Sequence, residues 1–106
     1  VVSDETFRGR TLAAAGRAVL TDRNNEYGGP EQSFGTIAAL WSVILGRPVT
    51  PAEVALCMAA MKIARLTANP THADSWIDLA GYAACGAEVS GAAAPGSAST
   101  DRTVRP

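Results

Sequence analysis

Lysine is almost missing from this chain. Eight of its nine basic residues are arginine, and Lys62 alone is lysine. Charge of either sign is sparse at 18%, and the net charge is −1, so the basic surplus of a general nucleic-acid binder is absent. There is one histidine, His72, and only two cysteines, Cys57 and Cys85, whose spacing fits neither a zinc site nor a redox pair. They read as small core residues in a reducing cytoplasm. No apolar run is long enough to span a bilayer, which predicts no membrane partner. No basic segment leads into an apolar one at the start, which predicts no retained secretion signal. No stretch alternates as a strand does. What remains is a chain of 106 residues, 47% apolar, enough for one domain with a modest core. Domains this small commonly gain stability by associating.

Helical periodicity fills most of the length. A first helix is predicted from about Thr6 to Arg23, with Leu12, Ala15, Gly16, Val19 and Leu20 on one face. Gly28-Gly29-Pro30 marks a turn and a new start. The second helix is predicted over 30–45, with Phe34, Ile37, Ala38, Trp41 and Ile44 as its buried stripe and Gly46 as its stop. Thr50-Pro51-Ala52-Glu53 has the pattern of a capping box, opening a third helix that ends at Asn69-Pro70. That helix is apolar nearly all round, which predicts a central place or burial by a partner subunit. The fourth is predicted over 73–89, packing through Trp76, Leu79, Ala80, Ala83, Ala84 and Ala87. The expected fold is all-α, a four-helix antiparallel bundle over residues 1–89 with a flexible tail over 90–106, assembled as a homo-oligomer.

Three groups of residues carry candidate chemistry. Asp74 and Asp78 lie about 40° apart on one helical face, one turn from each other, continued by Gly81, Tyr82 and Cys85. Such a pair can share Mg²⁺, because water and substrate phosphate complete its octahedron. It also occurs as an ordinary solvated face. Lys62 and Arg65 share one side of the third helix, across a tight turn from those acids. Half-buried cations need partners, so pairing with Asp74 or Asp78 is expected. That pairing reads equally as a structural ion-pair network or as a cleft where cations hold phosphate and acids hold metal. The third group is Arg23, Glu26 and Tyr27 before Gly28-Gly29. Arginine can fork onto phosphate and tyrosine can stack on a base, but a charged helix end and an ordinary turn account for the pattern as well. Glu53 points away from Lys62 by about half a turn and is explained by capping. His72 reads as a flank of the fourth helix, and Ser33, Ser42 and Ser75 show no triad pattern.

With these residues placed, the chain resembles a family of small phage- and prophage-encoded helical proteins without established function. The resemblance rests on Arg23-x-x-x-Tyr27-Gly28, Ala38-x-x-Trp41-Ser42, Lys62-x-x-Arg65 and Asp74-Ser75-Trp76-x-Asp78-x-x-Gly81-Tyr82, and covers roughly 11–89. The arginine and alanine bias resembles the GC-rich coding of actinobacteria and their viruses. The family is in turn distantly similar to the MazG-like all-α nucleoside triphosphate pyrophosphatases. That similarity implies a MazG-like bundle handling a nucleotide or related phosphorylated small molecule, with Mg²⁺ on Asp74 and Asp78 as catalytic acids. Lys62, Arg65, Arg23, Tyr27 and Tyr82 would then contact nucleotide and phosphate. The E-E-x-x-E element of those enzymes has no counterpart here, since the third helix offers only Glu53. A Mg²⁺-dependent pyrophosphohydrolase is therefore the first functional expectation. A non-catalytic, signal-sequestering nucleotide-binding module and a purely structural helical oligomer are the alternatives.

Overall fold

The computed structural model describes residues 5–22 and 28–92, with the side chain of Asp22 left aside. These residues form four α-helices and no strand. α1 spans Phe7–Arg17, and five residues of π-helix, Ala18–Asp22, continue it. α2 spans Pro30–Leu45, α3 Pro51–Ala68 and α4 Ala73–Ser90.

Each boundary has a local cause. Thr6 caps α1 by accepting from the Gly9 N–H at 2.9 Å. Pro30 opens α2 behind Gly29, and Gly46, in the left-handed region at φ 70°, closes it. The capping box at α3 is complete. The Thr50 hydroxyl accepts from the Glu53 N–H at 3.1 Å, and the Glu53 carboxylate accepts from the Thr50 N–H at 2.9 Å. Ser42 ties the α2–α3 connection. Its hydroxyl donates to the Ala38 carbonyl at 2.7 Å and accepts from the Val49 N–H at 2.9 Å. Gly91 ends α4 one residue past the expected stop.

The core joins Phe34 and Ala38 of α2, Val54 and Ala55 of α3, and Cys85 of α4. Val19, Trp41, Met58 and Tyr82 pack around it. Three expectations are corrected here. The central helix is α4, not α3: α4 packs against α1, α2 and α3, whereas α1 touches neither α2 nor α3 among the described residues. α3 instead leaves Leu56, Met61 and Ile63 exposed. The packing face of α4 is also rotated from the expected one. Ser75, Gly81 and Cys85 are buried and Leu79 and Ala80 half-buried, while Trp76, Ala83, Ala84 and Ala87 are exposed. The cause is size. A Cβ on Gly81 would lie 3.1 Å from Val19 Cγ1, and one on Gly86 would lie 3.3 Å from the Ala55 Cβ. The small side lets the neighbours approach, and hydrophobicity alone does not decide the contact. The stripes expected on α1 and α2 are likewise narrower, since Leu12, Leu20 and Ile44 are exposed.

Candidate functional site

The α3–α4 hairpin positions the two groups singled out from the sequence. Lys62 on α3 meets Asp78 on α4, with Nζ 2.9 Å from Oδ2. The lysine side chain is 13% exposed and the aspartate 40%. A mostly buried ammonium thus gains a partner one helix away, which is the pairing its surroundings require. Arg65 and Asp74 do not join them. Both are exposed, and neither forms an ion pair with another described residue.

Space beside the pair is small. Asp78 and Tyr82 line a cavity of about 20 Å³ together with Val19, Phe34 and Gly81. That is room for about one water and not for a phosphate group. The Tyr82 ring packs against Phe34, centroids 6.4 Å apart, as part of the core margin. The donor set also suits Mg²⁺ poorly. Asp78 Oδ2 already faces an ammonium, and among the described residues no three His, Cys, Asp or Glu side chains converge as a metal site. Arg23 and Tyr27 lie outside the described residues. His72 turns inward locally, its Nδ1 2.8 Å from the Oγ of the fully buried Ser75. That bond satisfies the one buried polar side chain among the described residues.

A second site lies elsewhere and involves residues that sequence reasoning passed over. A groove of about 730 Å³ opens between α1 and the start of α4. Phe7, Arg10, Ala14 and Arg17 form one wall, at three- and four-residue spacings along one side of α1. The other wall is Trp76 and Ile77 of α4, with Pro70 and Thr71 of the preceding turn at its end. The indole is fixed, since Trp76 Nε1 donates to the Pro70 carbonyl at 2.8 Å. The Arg10 guanidinium sits 5.3 Å from the centroid of the Phe7 ring, at cation–π distance. Among the described residues, two cations and two aromatic rings line the groove, and no carboxylate does. Its volume is in the range of small-molecule sites. The signal available in the sequence was the Phe7–Arg10–Arg17 spacing, but its value depends on α1 docking beside Trp76, a long-range contact that no local pattern reports.

The family model for a domain of unknown function, DUF6378, matches residues 10–90. The chain belongs to this family. It is similar to the Gene 55 protein of Mycobacterium phage D29, 42% identical over 74 residues, covering 70% of this chain and 49% of that protein. It is also similar to the Gene 55 protein of Mycobacterium phage L5, 37% identical over 73 residues, covering 68% of this chain and 47% of that protein. The DUF6378 chain thus spans about half the length of these curated relatives. The resemblance to small phage-encoded proteins of unestablished function stands on these matches. No solved structure matches. No helix among the described residues is long and apolar enough to cross a membrane.

Proposed function

We propose that this DUF6378 domain is a non-catalytic binding module for a nucleotide or a related phosphorylated molecule with an aromatic ring. The α1–α4 groove carries this reading. Arg10 and Arg17 supply forked donors for phosphate, and Trp76 and Phe7 supply faces for a base. The similarity to phage proteins fits a cytoplasmic role in an infected host. The Mg²⁺-dependent, MazG-like pyrophosphohydrolase is the second reading. Its support is the one-turn spacing of Asp74 and Asp78, and the Lys62 ammonium on Asp78 weighs against it.

The test uses Trp76 as reporter in a Trp41→Phe background, titrated with a panel of nucleoside mono-, di- and triphosphates in chelator. Saturable fluorescence quenching is expected, reduced at least about tenfold in affinity by Arg17→Ala, the scale of one charge-assisted contact. No quenching by any nucleotide, or equal quenching in Arg17→Ala, would remove the groove as the site. Pyrophosphate release from a nucleoside triphosphate with Mg²⁺, lost in Asp78→Ala, would restore the hydrolase reading.

A further inference from the structure

One contact fixes the order of groups along the α1–α4 groove. A Cβ on Gly81 would lie 3.1 Å from Val19 Cγ1, so the turn that continues α1 touches α4 at that level. On both helices the groove lies on the N-terminal side of this contact. At about 1.5 Å per residue, Arg17 stands about 3 Å from the contact, Ala14 and Trp76 about 7.5 Å, Arg10 about 13.5 Å and Phe7 about 18 Å. Side chains on both helices lean toward the N-terminus, so the order is kept at their tips. The groove thus presents a cation, a ring, a cation and a ring in turn.

Each of the four is open to a ligand. Neither arginine forms an ion pair with another described residue. The Arg10 guanidinium covers one face of the Phe7 ring, which at 83% exposed keeps its other face free. Trp76 spends its only polar atom, Nε1, on the Pro70 carbonyl, so it offers a ligand ring surface alone. Ala14, level with the indole, leaves width there for a flat group.

The alternation discriminates among phosphorylated ligands. A mononucleotide carries one base and one cluster of phosphate, and uses one cation and one ring. A dinucleotide bridged by pyrophosphate holds both phosphates between its bases, in the order ring, anion, anion, ring. A dinucleotide with a 5′-phosphate and a phosphodiester bridge has the order anion, ring, anion, ring.

We infer that the groove takes a 5′-phosphorylated dinucleotide. Its terminal phosphate lies on Arg17, its first base on Trp76, its bridging phosphate on Arg10 and its second base on Phe7. The inference rests on the proposed nucleotide-binding reading and narrows it to one ligand class. Phe7 is the outermost α1 residue of the groove among the described residues, and the net charge is −1, so a longer strand gains no further contact.

Calorimetry of the full chain in chelator, with five adenine compounds, tests it. These are the 5′-mononucleotide, the dinucleotide with and without its 5′-phosphate, the pyrophosphate-bridged dinucleotide, and a longer 5′-phosphorylated strand. The 5′-phosphorylated dinucleotide is expected to bind at least about tenfold tighter than the mononucleotide and the other two dinucleotides, and the strand no tighter. Arg10→Ala and Phe7→Leu are each expected to weaken the 5′-phosphorylated dinucleotide at least about fivefold and to leave the mononucleotide unchanged, whereas Arg17→Ala weakens both. All three positions are exposed, so circular dichroism should stay as in the wild type. Equal affinity for the mononucleotide and the 5′-phosphorylated dinucleotide overturns the inference and leaves the broader reading in place. So does an Arg10→Ala that weakens both equally, a pyrophosphate-bridged compound that binds as well, or a strand that binds at least about tenfold tighter. Binding by none of the five removes both readings.

Discussion

The Lys62–Asp78 pair shows how one contact can hold a fold without making an active site. Its ammonium is mostly buried and its carboxylate is partly in water. Removing the carboxylate leaves the charge in place without its partner. Asp78→Ala is therefore expected to destabilise by about 1–3 kcal/mol, below the range for a fully buried pair because solvent still reaches the site. Lys62→Met combined with Asp78→Leu removes both charges and keeps the volume, and is expected to lie close to wild type. Urea unfolding of the three proteins measures this, and a double variant no better than Asp78→Ala would mean the pair is more than a structural tie. The meeting of a third-helix cation with a fourth-helix acid was legible in the sequence, because a tight turn brings the two faces together. Which of the four charges would meet was not. Arg65 and Asp74 have the same residue types and similar spacing, and their exposure depends on helix rotation, which one-residue steps of about 100° leave open.

Helix ends were legible because they are decided locally. Proline at the first position, a hydroxyl at the cap and glycine in the left-handed region each act within a few residues. α2 and α3 therefore begin and end where the sequence indicates. The Thr50–Glu53 box should carry measurable weight. Thr50→Ala is expected to cost about 1 kcal/mol, read from thermal or urea unfolding, and Thr50→Ser to cost less than half of that. An unchanged stability in Thr50→Ala would mean that the Pro51 start alone fixes α3. Helix faces were less legible. On α4 the apolar Trp76 and alanines suggested the packing side, yet Ser75, Gly81 and Cys85 occupy it. Close approach of α1 and α3 needs small atoms there, and an alanine face looks the same whether it packs or lies open. The π-helical turn at Ala18–Asp22 was not foreseen either. It contributes Val19 to the contact with Gly81, a feature that takes effect only once α4 is in place.

At the scale of the whole molecule, α1 is the least anchored helix. Among the described elements it packs on α4 alone, and its Phe7 and Leu12 are exposed. Elements with few buried contacts open locally at low free energy. α1 is also one wall of the groove, so a ligand held between Arg10, Arg17 and Trp76 would join the loosest helix to the best-packed one. Binding to the closed arrangement and not to the opened one must then stabilise α1 in proportion to ligand occupancy. Hydrogen exchange separates this from general stabilisation. Without ligand, amides of α1 are expected to exchange faster than those of α3 and α4. With a saturating nucleotide, protection should rise chiefly in α1 and the first turns of α4, while α2 stays as it was. Equal protection everywhere would indicate that the ligand acts on global stability from some other place. Protection confined to the α3–α4 hairpin would move the site back to Lys62 and Asp78.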